Sequence, residues 1–106
     1  MVMTDELRLM QERIMNAVPV EKIYLFGSYA NGTSNEHSDY DFYIVVPNDG
    51  LRPVEAVQQI YRSFRGVKRK PMDVLAGTVD TFNRRSKQIT LEQTIANEGV
   101  LLYEKS

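Results

Sequence analysis

The chain has 106 residues, a formal net charge of −1 and no cysteine. That length suits one domain with a modest core, and 42% apolar with 25% charged residues is ordinary for a globular protein. With no cysteine and a single histidine, disulfides, thiolate zinc sites and histidine-rich metal sites are excluded, so a metal would be a hard cation held by oxygen. The near-neutral charge balance does not favour nucleic-acid or anionic-membrane binding by the whole surface.

The N-terminal stretch mixes acidic and basic residues and has no uninterrupted apolar run, so it does not resemble a secretory signal. No segment approaches the roughly 20 apolar residues that span a bilayer. We therefore expect a cytoplasmic protein that does not bind membranes, with residues 1–106 forming a single domain.

Capping residues, apolar spacing and Gly/Pro positions predict nine elements. In chain order they are a helix capped by Thr4 that runs to about Asn16 and is stopped by Pro19, a strand Lys22–Phe26, a helical turn Ser28–Asn31, a strand Tyr40–Val46, a helix from Pro53 to about Phe64, a strand Met72–Ala76, a helix Val79–Arg85 capped by Thr78, a helix opened by the capping box Thr90–Gln93 and stopped by Gly99, and a strand Val100–Tyr103. The first helix has an apolar stripe that is predicted to face the core, or the core plus a partner interface: Leu7, Met10 and Ile14. The Pro53 helix has an apolar stripe on one side: Val54, Val57, Ile60, Tyr61 and Phe64. This order predicts an α/β fold with a small mixed sheet flanked by helices.

Two aspartates open the second strand. Because strand side chains alternate between faces, Asp39 and Asp41 share one face, about 7 Å apart. The alternate residues Tyr40, Phe42, Ile44 and Val46 are all apolar and should face the core. A helix connects this strand to the next, which predicts parallel pairing and places Asp73 beside the aspartate pair.

Gly27 and Ser28 follow the first strand. The loop from there to Asp39 is too short for a crossover helix, so the first two strands should be antiparallel and this turn should lie at the aspartate end of the sheet. Glycine allows close backbone approach, and a helical turn after it offers N–H groups and the Ser28 hydroxyl to a phosphate. Three adjacent carboxylates repel one another unless a cation neutralises them. Mg²⁺ is commonly bound by carboxylates together with substrate phosphates. The pattern therefore predicts a two-metal site for displacement at phosphorus.

The segment from Gly27-Ser28, through ten further residues, to Asp39-Tyr40-Asp41 resembles the G-S-x10-D-x-D signature of the DNA polymerase β-like nucleotidyltransferase superfamily. Ser38, Gly32, Asp73 and the ending NEGVLLYE fit as well, so the resemblance covers nearly the whole chain, which is similar to a minimal nucleotidyltransferase domain. It implies the polymerase β-like fold and transfer of a nucleoside monophosphate, most often AMP from ATP. It also implies that Asp39, Asp41 and Asp73 bind two Mg²⁺ ions, that Asp73 helps to deprotonate the acceptor hydroxyl, and that Gly27 and Ser28 hold the triphosphate.

Many members of this family of similar size are antitoxins that bind HEPN-domain toxins, and some adenylylate a toxin tyrosine. The resemblance therefore implies an antitoxin that modifies a hydroxyl of a partner protein. The alternatives are a non-catalytic, nucleotide-binding antitoxin, or a transferase that acts on a small molecule or an RNA end. The base, the acceptor and the oligomeric state stay open.

Other polar residues have less specific interpretations. His37 is expected to be an exposed loop residue, and Tyr29 and Tyr43 to pack rather than stack on a base. The cationic run at residues 62–70 is expected to be a solvated face, with phosphate or nucleic-acid binding as the alternative. Arg84 and Arg85 could contact a partner or the triphosphate, and the sequence does not decide in which direction they point.

Overall fold

The computed structural model describes residues 3–106, which contain five helices and four strands. The elements in chain order are α1 (Asp5–Ala17), β1 (Lys22–Phe26), α2 (Ser28–Asn31), β2 (Tyr40–Val46), α3 (Pro53–Ser63), β3 (Met72–Thr78), α4 (Val79–Arg85), α5 (Leu91–Glu98) and β4 (Val100–Glu104). The bounds of β1, α2, β2 and α4 match the sequence prediction, while β3 runs two residues further and the remaining ends differ by about one residue.

Helix starts follow the predicted caps. The hydroxyls of Thr4, Thr78 and Thr90 each accept a hydrogen bond from the backbone N–H three residues later. Such caps satisfy N–H groups that have no partner inside the helix. None of the helices in residues 3–106 is long and apolar enough to cross a membrane.

The four strands form one sheet in the order β3-β2-β1-β4. Strand β1 is antiparallel to β2 and to β4, whereas β2 and β3 are parallel. Both predicted pairings are confirmed, and the fold is the mixed α/β arrangement expected from the sequence. The starts of β2 and β3 therefore lie beside the end of β1, along the edge of the sheet that is formed by strand ends.

Both faces of the sheet are covered. The larger core contains Tyr40, Phe42, Ile44 and Val46 of β2 with the buried stripe of α1, as predicted. A second, smaller core on the opposite face joins Tyr24, Tyr43 and Val45 to Phe82 of α4 and Ile95 of α5. The strand and helix patterns alone do not predict this second core.

The predicted apolar stripe of α3 is partly wrong. Ile60 and Phe64 are buried, but Val54 is 55% exposed, and Ala56 is fully buried instead. Tyr61 lies at the open edge of β3, where its hydroxyl accepts a hydrogen bond from Val74 N at 2.9 Å. An edge strand has unpaired backbone groups, and Tyr61 satisfies one of them rather than filling the core.

Candidate functional site

The turn between β1 and α2 is shaped by Gly27. Its φ of 74° is unfavourable for residues with a side chain. A Cβ at this position would also collide with the Asp41 carboxylate. Its carbonyl accepts hydrogen bonds from the N–H groups of Ala30 and Asn31, which closes the first turn of α2. The backbone at Gly27 can therefore lie directly against Asp41, with Ser28 as the next residue.

Asp41 and Asp73 are direct partners in the parallel pairing of β2 and β3. Asp39 precedes Asp41 by two residues, just before β2, and both Asp39 and Asp73 are exposed. Burial raises the pKa of Asp41, and the negative charges of Asp73 and Asp39 raise it further. The three carboxylates are therefore close enough to repel one another at the edge where Gly27 ends β1.

The donor set at this edge suits a hard divalent cation. Within residues 3–106, no group of three or more His, Cys, Asp or Glu side chains is already arranged to hold a metal ion. Mg²⁺ does not require such a group, because it commonly takes one or two carboxylates and completes its shell with water and substrate phosphates. Burial is the main cause of the raised Asp41 pKa, and a cation would relieve the additional repulsion by Asp73 and Asp39. This edge of the sheet therefore offers carboxylate oxygens of the kind that Mg²⁺ binds.

A polar and aromatic cluster, which we call the brace, supports this edge from the larger-core face. It consists of Glu6, Tyr29, Tyr40 and Lys70. The rings of Tyr29 and Tyr40 pack with centroids 4.3 Å apart, and Lys70 Nζ donates to the Tyr29 hydroxyl at 3.0 Å. Glu6 accepts hydrogen bonds from the Tyr40 hydroxyl and from Lys70 N.

The brace connects the elements that carry the site. Tyr29 follows Ser28, Tyr40 lies between Asp39 and Asp41, and Lys70 precedes Asp73 by three residues. Tyr29 was expected to be a packing residue, which is confirmed, but its contact with Lys70 was not predicted. These residues are 41 positions apart, and no local pattern indicates their contact.

A second network crosses the smaller core. Tyr43 donates its hydroxyl proton to Glu92 at 3.0 Å, and Arg85 Nε donates to Glu92 at 2.9 Å. Burial raises the pKa of the Tyr43 hydroxyl, and the bond to Glu92 raises it further. Burial alone would raise the Glu92 pKa, but the hydrogen bonds from Arg85 and Tyr43 outweigh it and hold that pKa below its usual value.

This network shows where the Arg85 side chain points, which the sequence left open. The Arg85 side chain points to Glu92, and both Arg84 and Arg85 are exposed. Glu92 was missed by the sequence analysis, although its position three residues before the buried Ile95 was a signal that it lies on an inward face. His37 is exposed, as expected, next to Glu36.

Comparison with known proteins agrees with this geometry. The family model for polymerase beta nucleotidyltransferases matches residues 10–106. A search of curated proteins found no significant match.

Three solved structures share the fold. A protein from Sulfolobus solfataricus classed as a nucleotidyltransferase aligns with a TM-score of 0.66 and 18% identity, covering 97% of this chain and 81% of that one. A chain of a toxin–antitoxin crystallised with AMP-PNP aligns with a TM-score of 0.54 and 20% identity, covering 97% and 76%. A chain of the toxin–antitoxin MntA-HpeT, in a form with two aspartate-to-glutamate substitutions, aligns with a TM-score of 0.53 and 15% identity, covering 97% and 75%.

At these identities the structural likeness shows the fold, and the family model, which spans most of the chain, shows the family. The chain belongs to the polymerase beta nucleotidyltransferase family.

Proposed function

We propose that this chain is a Mg²⁺-dependent nucleotidyltransferase that transfers AMP from ATP to a hydroxyl of a partner protein. The observation that carries the proposal is the pairing of Asp41 with Asp73, next to Asp39 and against Gly27, at one edge of the sheet. Nucleotidyl transfer needs this combination, since carboxylates hold the cation while an adjacent turn receives the phosphates.

Each site residue has a role in the proposed reaction. Gly27 and Ser28 would hold the triphosphate through the backbone and hydroxyl of the α2 turn, and Asp39, Asp41 and Asp73 would hold two Mg²⁺ ions. Bound Mg²⁺ supplies charge neutralisation at the phosphates and orients them for in-line displacement. Asp73 accepts the proton of the acceptor hydroxyl. The acceptor oxygen then bonds to the α-phosphorus as the bond to pyrophosphate breaks, and pyrophosphate leaves.

We further propose that the protein is a cytoplasmic antitoxin, that residues 1–106 act as one domain, and that the acceptor is a HEPN-type toxin. Support comes from the two toxin–antitoxin chains that share the fold, one of which was crystallised with AMP-PNP. The net charge of −1 gives no reason to expect direct binding of nucleic acid as the main activity.

The direct test is a transfer assay. The purified chain is incubated with Mg²⁺, each of the four α-labelled nucleoside triphosphates, and the protein encoded beside it. Label should pass from ATP to the partner and disappear with the double variant Asp39→Asn/Asp41→Asn. No transfer from any of the four nucleotides would contradict the proposed activity.

A second candidate is an antitoxin that acts by binding alone. In this case the chain would neutralise the toxin by occlusion, and the carboxylates would only bind nucleotide. If Asp39→Asn/Asp41→Asn still protects cells from the toxin as well as the wild type does, catalysis is dispensable. Loss of protection with retained toxin binding would instead support transfer.

A further inference from the structure

A groove between α1 and the segment after α3 lies outside the nucleotide site. It has a volume of about 680 Å³ and is lined by Leu9 and Met10 of α1 and by Phe64, Val67 and Lys68 on the other side. Met10 and Phe64 are buried beneath it, whereas Leu9 is 65% exposed. We call this surface the α1–α3 groove. Its apolar base and exposed leucine favour an apolar ligand surface.

The groove is long rather than round. Its lining on α1 extends from Glu6 to Ala17, which at the rise of an α-helix is about 17 Å, or roughly three turns. A smaller cavity of about 300 Å³ shares Ala17 and Ser63 with it and continues towards Gln59 and Arg62. This elongated shape matches the apolar face of a helix better than a compact small molecule.

Cations surround the groove. Arg13, Lys68 and Arg69 line it, and Arg62 lines its extension. The acids that line it are Glu6 and Glu12, and Glu6 is already occupied by hydrogen bonds from Tyr40 and Lys70. In a chain with a net charge of −1, this is a locally basic surface.

Of the two arginines closest to Phe64, Arg13 already donates from Nη1 to Ser63 O at 2.9 Å, whereas Arg69 has one donor without a partner among residues 3–106. The guanidinium groups of Arg13 and Arg69 both lie near the ring of Phe64, at 5.8 and 5.4 Å from its centroid. Arg69 Nη1 donates to Lys70 O, but the buried Arg69 Nε has no hydrogen-bond acceptor among residues 3–106. A buried donor without an acceptor is costly, and a carboxylate is the strongest acceptor for a guanidinium.

We propose that the α1–α3 groove docks an acidic amphipathic helix of the protein that receives the nucleotide. This inference deepens the proposed function and depends on it for the identity of the partner. The apolar base takes the apolar face of the helix, and its flanking Asp and Glu side chains pair with Arg13, Lys68 and Arg69. Lys68 is five residues before Asp73, so at most about 18 Å of chain separates this side of the groove from the carboxylate assigned to the acceptor hydroxyl.

Binding of a defined probe to the full chain tests the inference. The probe is a fluorescein-labelled 18-residue helical peptide with leucines on one face and glutamates on both sides of that face. Its control carries lysines in place of the glutamates. Fluorescence anisotropy should show that the acidic peptide binds at least about tenfold more tightly than the control, with an advantage that shrinks as salt is raised.

Variants locate the binding surface. Leu9→Glu and Lys68→Glu should each weaken binding of the acidic peptide about tenfold, and Lys68→Glu should improve binding of the lysine control. Ile89→Glu is the matched control, because Ile89 is 99% exposed and does not line the groove, so binding should be unchanged.

Three outcomes would overturn the inference: no binding of the acidic peptide at millimolar concentration, equal binding of both peptides, or the same loss with Ile89→Glu. A dimer that dissociates in Leu9→Glu, seen by sedimentation, would assign the groove to a second copy of this chain instead. Asp39→Asn/Asp41→Asn should bind the peptide like the wild type, so a failure of the proposed chemistry would leave this result intact.

Discussion

The two faces of the central sheet are built by alternate residues of the same strands, yet they differ in composition. On the face covered by α1 and α3, every inward residue of β2 from Tyr40 to Val46 belongs to the larger core. On the opposite face the same strand begins with Asp41 and continues with Tyr43 and Val45, which belong to the smaller core. The first face provides stability along its whole length. The second is divided between packing residues and the carboxylates that we propose for catalysis.

This division explains how the chain tolerates adjacent carboxylates. Burial of Asp41 and its repulsion by Asp73 and Asp39 are both unfavourable, and both raise its pKa. The large core on the other face, with Phe42 and Ile44 fully buried, supplies the stability that offsets both. Substitutions of neighbouring residues should therefore separate function from stability.

The largest effect is expected at Asp41. Asp41→Asn should lower the transfer rate by about 10³–10⁴-fold, because a ligand for the cation is lost. The melting temperature should stay the same or rise, since a repelling charge is removed. Steady-state transfer assays and thermal unfolding in EDTA check both parts. A large loss of stability would mean that Asp41 belongs to the packed part of its face.

Phe42 should behave in the opposite way, although it is the next residue. Phe42→Ala removes a fully buried ring from the larger core and should lower the free energy of unfolding by about 3 kcal/mol or more. Urea unfolding measures this change. At a temperature where the variant is still folded, nucleotide affinity should be close to that of the wild type, and a selective loss of affinity would break the proposed division between the two faces.

The smaller core should show a pH-dependent contribution from Glu92. Its pKa is lowered in the folded state, so ionised Glu92 stabilises the fold above its ordinary pKa of 4.5, and that contribution is lost as pH falls through the folded pKa. Glu92→Gln should cost about 1–2 kcal/mol at pH 7. The difference from the wild type should shrink below about pH 4.5, as measured by urea unfolding at several pH values. A difference that does not change with pH would show that the charge of Glu92 does not contribute to stability.

The smallest effect is expected at the brace. Tyr29→Phe keeps the ring packed on Tyr40 but removes the hydroxyl that accepts from Lys70. Nucleotide affinity should fall by roughly two- to fivefold, the scale of a modest positioning effect, with little change in stability. Isothermal titration with a non-hydrolysable ATP analogue measures it. Lys70→Met should give a similar loss, and an unchanged affinity in both variants would assign the brace to packing alone.

The sequence by itself determined the elements and the side of the sheet on which the carboxylates lie. Strand β2 is apolar apart from Asp41, and Asp39 lies two residues before Asp41. The strand period of two predicts both aspartates on the face opposite to Phe42 and Ile44. The helical connection then fixed parallel pairing, which brought Asp73 beside Asp41. These are local rules of backbone geometry, and they need no knowledge of distant side chains.

Only the tertiary structure decided which distant side chains meet. Burial of Tyr43 and Val45 depends on how α4 and α5 fold back over the sheet. The exposure of Val54 and the contact of Tyr29 with Lys70 depend on helix rotation and loop path. The α1–α3 groove likewise arises from two segments more than forty residues apart. Such contacts are set by packing between elements, because a helix or strand pattern specifies a face but not the neighbour that covers it.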